Sequence, residues 1–370
     1  MSSADEKYMR RAMELAIKGT GNVEPNPKVG CVIVKDGEVI GEGFHEKFGE
    51  AHAEVNAIGE CQRWENDPAD ATMYVTLEPC SHHGKTGPCA DAVIAAGIKK
   101  VVAAMGDPTE HVSGKGFEKL KAAGVEVEVG LCQRQAELLN SGFIKLAKEG
   151  VPWVIAKWAQ SADGFLAWAN PFEDGQWISN QASRTDVHKL RQSAQAIVVG
   201  VDTAIADDPQ LTARPAGRKK SLRIVLDSML RIPLGCNLLD TMQAPTLVVT
   251  TEKALVKNIE KVEEIIVTGA EVLALKEVNF RPDIGQLLVE LGKRKIQTVI
   301  IEGGVKVLDS FIEGGFADAV QIYIGLKELG ADGDVPASEK MMQLAAGDGL
   351  SDMVKTEFDG DVRVTGVVTR

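Results

Sequence analysis

Most of the chemistry in this chain is concentrated in His52-Ala53-Glu54, then Pro79-Cys80, then Cys89. One imidazole and two thiols can hold zinc through three ligands, which leaves a tetrahedral position open to water. Zinc lowers the pKa of such a water to about 7. A glutamate two residues from a ligand, and not itself a ligand, can take that proton and return it to a departing amine. The chemistry this set supports is hydrolysis at an amidine-like carbon.

The order H-x-E, P-C, C is that of zinc-dependent nucleobase-type deaminases. The spacing differs, because the eight residues Ser81 to Pro88 separate the cysteines. Gly84-Lys85-Thr86 ends like a phosphate loop, but that motif needs a glycine five residues before Gly84, where Pro79 stands. His82 and Lys85 are instead candidates to contact a polar ring or a phosphate; the alternative is a solvated surface loop. A closed structural zinc site needs a fourth ligand, which His82, His83 or Cys61 could supply, but it has no use for Glu54. Asn26, held between Pro25 and Pro27, suits the hydrogen-bonding edge of a ring. Taken alone, Asn26 reads equally well as a turn residue, and His45 as a surface imidazole.

The elements that must position these groups alternate along the first 130 residues. Val29 to Val34 reads as a strand, Asp36-Gly37 as a tight hairpin turn and Glu38 to Gly43 as the returning strand. A helix is expected from His52, a strand over Thr72 to Leu77, and a helix over Cys89 to Ala96 stopped by Gly97. Strands follow at Lys100 to Met105 and Val125 to Val129, and one connecting helix at 131–148. His52 and Cys89 thus sit near helix N-termini, where the dipole favours thiolate and hydroxide. Gly150-Val151-Pro152 marks a break, so the expected domains are 1–149 and 150–370. Beyond it, strands are expected near 153–158, 196–200, 222–228, 246–251, 264–267, 298–302 and 319–324, with helices near 180–194, 283–294 and 305–313. Val362 to Thr369 alternates like an edge strand.

The 370 residues carry a net charge of −12, which argues against a nucleic-acid partner. No apolar run reaches the length of a membrane span, since Lys99-Lys100 interrupt the best candidate. The start of the chain reads as a charged amphipathic helix and not as a secretory signal. The scattered cysteines outside the metal motif suit a reducing cytoplasm. A homo-oligomer, with a dimer favoured, is the expected assembly.

In the second half, Ile301-Glu302-Gly303-Gly304 closes a strand and opens a helix, where glycines let a phosphate approach free backbone N–H groups. A plain tight turn explains that run equally. Asp163-Gly164 and Asp207-Asp208-Pro209 read as turns, and Arg191 on an amphipathic helix reads as a solvated charge. By themselves these residues give a mixed α/β domain with a nucleotide site as one option. A zinc deaminase of another nucleobase with an auxiliary nucleotide-binding domain is then the alternative reading.

Several motifs taken together resemble a family. Asn26-Pro27-x-Val29-Gly30, His52-Ala53-Glu54 and Glu78-Pro79-Cys80-Ser81-His82-His83-Gly84-Lys85-Thr86-x-Pro88-Cys89 are similar to the deaminase half of the bifunctional riboflavin-biosynthesis deaminase/reductases. Lys157, Ser161-x-Asp163-Gly164, Gln176-Trp177-Ile178-Ser179, Ala206-Asp207-Asp208-Pro209-x-Leu211-Thr212-x-Arg214, Leu226-Asp227-Ser228 and Glu302-Gly303-Gly304 are similar to the reductase half. The resemblance implies a cytidine-deaminase-like three-layer α/β/α domain followed by a dihydrofolate-reductase-like α/β domain.

In the deaminase half, the resemblance implies zinc on His52, Cys80 and Cys89, with Glu54 as proton carrier. Asn26, His45, His82, Lys85 and Asp107 are implied to hold a phosphorylated pyrimidine. In the reductase half it implies NADPH on Gln160, Trp177, Thr203, Asp207, Ser228 and the run Gly304, Val305, Lys306, Val307, Leu308, Asp309 and Ser310. The ribosyl-phosphate substrate is implied to meet Lys157, Gly175, Arg191, Leu211, Arg214 and Glu302, with the guanidinium forks of Arg191 and Arg214 suited to phosphate. Gln160, Gly175 and Thr109-Glu110-His111 depart from the residues common in the family.

Overall fold

The hairpin at Asp36-Gly37 sets the first sheet. Both residues have positive φ, 53° and 84°, as a two-residue type I′ turn requires. The computed structural model describes residues 3–81, 87–109, 113–170, 177–216 and 219–369. It divides into two compact units, Met1–Gly150 and Val151–Arg370.

The first unit runs α1 (Ser3–Ile17), β1 (Gly30–Lys35), β2 (Glu38–Phe44), α2 (Ala53–Arg63), β3 (Thr72–Val75), α3 (Cys89–Ala95), β4 (Lys100–Ala103), α4 (Lys115–Ala122), β5 (Glu126–Val129), α5 (Gln133–Leu139) and α6 (Ser141–Glu149). Its sheet has the order β2-β1-β3-β4-β5. β1 is antiparallel to β2 and β3, and β3, β4 and β5 run parallel. β1 is buried on both faces, every residue but Lys35, because helices cover both sides. The coverage is close. A Cβ on Gly30 would lie 1.9 Å from the carbonyl oxygen of Ala12 in α1, and one on Gly43 would lie 2.4 Å from that of Ala53 in α2. The result is a three-layer α/β/α unit.

Two expectations change in this unit. The helix expected at 131–148 is two helices, α5 and α6, meeting at Asn140. Asn140 is 1% exposed, and its amide accepts from Lys28 N at 2.8 Å and donates to Lys28 O at 2.9 Å. That pairing fixes Asn140 at φ −110°, ψ 20°, where a continuous helix cannot pass. Helix α4, unassigned from sequence, fills the β4–β5 crossover.

The second unit contains β6 (Trp153–Gln160), β7 (Phe165–Trp168), β8 (Ala196–Gly200), β9 (Leu222–Leu226), β10 (Thr246–Thr251), β11 (Glu271–Leu275), β12 (Glu277–Val278), β13 (Arg281–Pro282), β14 (Thr298–Ile301), β15 (Ala319–Ile324), β16 (Gly333–Pro336), β17 (Leu350–Phe358) and β18 (Asp361–Val368). Nine of these form one sheet in the order β11-β10-β9-β8-β14-β6-β15-β18-β17. The strands from β11 to β15 along that order are parallel, and β18 and β17 close the sheet antiparallel. Helices Gln181–Ser193, Val201–Asp207, Ile284–Lys293 and Val305–Glu313 connect its parallel part. The run 264–267, expected as a strand, lies in the helix Ile259–Val267. Its apolar residues are too few to separate a strand from a buried helix, and the strand begins only after Gly269 turns the chain at φ 87°. Nor is β18 the sheet edge: it lies between β15 and β17. Its alternation comes from having one face on the core.

Candidate active sites

His52 occupies the N-cap of α2, and Cys89 opens α3. His52 Nδ1 lies 3.2 Å from Cys89 Sγ and 3.6 Å from Cys80 Sγ, and the Cys89 amide donates to Cys80 Sγ at 3.3 Å. The three ligand atoms lie within 4.8 Å of one another, the one such group among the described residues. Cys61, weighed as a fourth ligand, is buried against Gly41 of β2 and outside the group. Hydrogen bonding with Cys89 and with His52 draws the Cys80 thiol far below its ordinary range, while the bond to Cys80 and burial push Cys89 up. This is a set of donors already arranged for a thiophilic cation.

Glu54 stands in the first turn of α2 at 3% exposure. Burial raises its carboxyl to about 7, and its Oε2 is buried with no hydrogen-bond partner among the described residues. An orphaned acceptor beside three converging ligands fits a metal with its water. A pKa near neutrality also suits a group that must both take and give a proton.

Asn26 and His45 belong to the same neighbourhood. His45 Nδ1 meets the Ala51 carbonyl at 3.1 Å, and its Nε2 meets the Asn26 amide nitrogen at 3.2 Å. The carbonyl can only accept and the amide nitrogen can only donate, so His45 is neutral with its proton on Nδ1. Burial, which lowers its pKa, agrees. The His45 ring stands edge-on to His52 with centroids 5.1 Å apart. Asn26, having given its N–H to His45, keeps its amide oxygen as an acceptor. Asp107 caps its own turn, its Oδ1 accepting from Thr109 N at 2.8 Å and Oγ1 at 2.6 Å. His82 and Lys85 lie outside the described residues, as does Gly175.

In the second unit, Glu302 follows β14 and accepts a forked pair from Arg191, Nε at 2.7 Å and Nη2 at 2.8 Å. Lys157 Nζ lies 3.4 Å from the same carboxylate. Burial pushes Glu302 up, but the charges of Lys157 and Arg191 outweigh it and hold the carboxyl at about 2. Burial draws Lys157 down. Arg191 is therefore not the solvated charge its helix position suggests, nor is its fork open to phosphate. It is spent on Glu302, and Nη1 on the Thr212 carbonyl at 3.3 Å. Arg214 is exposed and donates to Gln210 at 2.6 Å.

Thr203 Oγ1 accepts from Gly304 N at 3.1 Å, which ties the helix Val201–Asp207 to the head of Val305–Glu313. Ser228 lies at the start of the loop after β9, Asp207 ends its helix exposed, and Trp177 is 59% exposed with the Arg184 guanidinium 5.1 Å from its ring centre. Of these residues, Thr203 is the one shown in contact with the Gly303-Gly304 turn. Other expected contacts are turned into the fold. Leu308 is fully buried in the core, Asp309 receives Ser338 Oγ at 2.6 Å, and Ser310 receives Arg281 at 2.6 Å. Helical period explains this, since only the first turn of the helix faces its N-terminal end. Gln160 is 2% exposed with its amide on Trp158 and Met342, and Leu211 is 4% exposed at φ 51°.

Sequence reasoning missed Glu78 and Asn140, buried polar residues that bind backbone elsewhere. Glu78 stands in the resemblance motif directly before Pro79-Cys80 with no role assigned, and Asn140 interrupts an apolar helix pattern.

Residues 2–105 match the cytidine and deoxycytidylate deaminase zinc-binding region, and residues 152–353 match the RibD C-terminal domain. The riboflavin biosynthesis protein RibD of Aquifex aeolicus (strain VF5) is 43% identical over 327 residues, 88% of each chain. The chain belongs to the RibD family. RibD of Escherichia coli (strain K12) is 39% identical, covering 91% of this chain and 93% of its own. The Acinetobacter baumannii RibD structure (form 1) superposes with a TM-score of 0.80 at 36% identity, covering 99% of both chains. A Thermotoga maritima structure superposes with a TM-score of 0.81 at 34% identity, also covering 99% of both. As a RibD-family member, this chain is a bifunctional deaminase and reductase of riboflavin biosynthesis, with a zinc-binding deaminase half. No helix among the described residues is long and apolar enough to cross a membrane.

Proposed function

We propose that the first unit hydrolytically deaminates 2,5-diamino-6-ribosylamino-4(3H)-pyrimidinone 5′-phosphate and that the second reduces the ribosyl side chain to ribityl with NADPH. The Thermotoga protein is described as a diaminohydroxyphosphoribosylaminopyrimidine deaminase/5-amino-6-(5-phosphoribosylamino)uracil reductase, which supports this choice of substrates. The observation that carries the first step is the buried Glu54 carboxyl, its Oε2 without a hydrogen-bond partner among the described residues, beside the His52, Cys80 and Cys89 ligand atoms.

His52 Nδ1 and the two sulfurs would hold zinc, which when bound supplies the acidity that makes water a nucleophile at neutral pH. Glu54 takes the proton from that water and delivers it to the leaving amine. Asn26, oriented by His45, holds the pyrimidine edge through its amide oxygen, with Asp107, His82 and Lys85 completing the pocket. In the second unit, NADPH when bound supplies the hydride. Thr203, Asp207, Ser228, Trp177 and the amides of Val305 and Lys306 seat it. Arg214 would take the substrate phosphate, and the Lys157–Glu302–Arg191 cluster would hold the opened sugar for reduction. The reactions are assigned to the cytoplasm, in keeping with six free cysteines, and to a homo-oligomer with a dimer first, which light scattering would size.

Glu54→Gln tests the core of this reading. The variant is expected to keep its fold and one zinc per chain while ammonia release falls at least roughly a hundredfold. Ammonia release at the wild-type rate would remove Glu54 from the mechanism.

A further inference from the structure

The proposed chemistry leaves Glu78 without a part, although it stands two residues before the ligand Cys80 and is 4% exposed. Among the described residues no cation pairs with it. Its carboxylate is satisfied by backbone instead: Oε2 accepts from Asp107 N at 3.2 Å and Gly114 N at 3.0 Å, and Oε1 accepts from Gly116 N at 2.9 Å. Gly114 is the N-cap of α4, at φ 80°, and has no side chain with which to cap it. Glu78 therefore caps α4 from another part of the chain, its charge facing the positive end of the helix. The fit is tight, since a Cβ on Gly116 would lie 1.9 Å from the Pro79 carbonyl oxygen. One carboxylate thus ties the Asp107 turn and the α4 N-terminus to the Pro79-Cys80 turn.

We propose that Glu78 is a positioning residue of the deaminase, holding Asp107 at a fixed distance from the metal ligands so that substrate binds in register with them. Charge-assisted bonds to three amides are strong and directional, and a displacement on the order of 1 Å at a substrate-holding group can cost about a hundredfold in rate. The inference rests on the metal-site reading above.

Glu78→Gln keeps the shape, removes the charge and turns an amide NH₂ toward at least one of the three donors. The expected result is an unchanged zinc content, an unchanged reductase rate, and a KM for deamination raised roughly tenfold or more with kcat altered less. Glu78→Asp, which keeps the charge, is expected to recover part of the KM. A purely structural role would instead lower folded yield and both activities together. A folded, zinc-loaded Glu78→Gln enzyme with wild-type KM overturns the proposal, and so does one that loses its zinc, since Glu78 would then support the metal. Should Glu78→Gln fail to fold, hydrogen exchange of the wild-type chain decides. The amides of Asp107, Gly114 and Gly116 are expected to be protected, and exchange at the rate of exposed amides overturns the proposal. Failure of the Glu54 reading shows separately, as ammonia release by Glu54→Gln.

Discussion

Burial pushes the Glu302 carboxyl up, and two cations reverse that. Its pKa in the folded chain, about 2, lies below the ordinary value of 4.5. The stability it contributes is therefore fully present above pH 4.5 and is lost as pH falls toward and through about 2, on the order of 3 kcal/mol in all. Denaturant unfolding of wild type and Glu302→Gln checks this: the gap between them is expected to be widest above pH 5 and to narrow steadily below pH 4. Glu302 drew attention through the family resemblance of Glu302-Gly303-Gly304, but its partners were not legible. Arg191 lies 111 residues away and Lys157 lies 145 away, and no local pattern links them. His52, Cys80 and Cys89 were legible as a candidate metal-holding set by residue type and order, although the spacing of the cysteines departs from the usual one.

At the scale of elements, what was legible had a period or a turn behind it. The β1–β2 hairpin announced itself through Asp36-Gly37, and the helices carrying His52 and Cys89 through their apolar spacing. What was not legible depended on contacts between distant segments: the break at Asn140, the helix at 264–267, the interior place of β18. The Asn140 break has the clearest effect on the site. Its amide matches Lys28 donor to acceptor and acceptor to donor, two residues along from Asn26. Asn140→Ala leaves a backbone N–H and carbonyl of Lys28 without these partners, at a cost of about 2 kcal/mol. A lowered urea midpoint and a raised deaminase KM are expected, with the reductase KM unmoved. A reductase KM that rose equally would show the effect to be general.

The whole chain carries two chemistries on two compact units, the division falling between Gly150 and Val151. Removing zinc with a chelator is expected to abolish ammonia release while NADPH oxidation on the deaminated substrate continues at its former rate. Parallel loss of both would contradict the assignment of metal to the first unit alone. The Asn140–Lys28 pair also sets an order of events during synthesis. Lys28 emerges first, and Asn140 follows 112 residues later, an interval of roughly 5 to 20 seconds at ordinary elongation rates. His52, Cys80 and Cys89 all leave the ribosome within that interval. The nascent chain therefore possesses His52, Cys80 and Cys89 before Asn140 can reach Lys28.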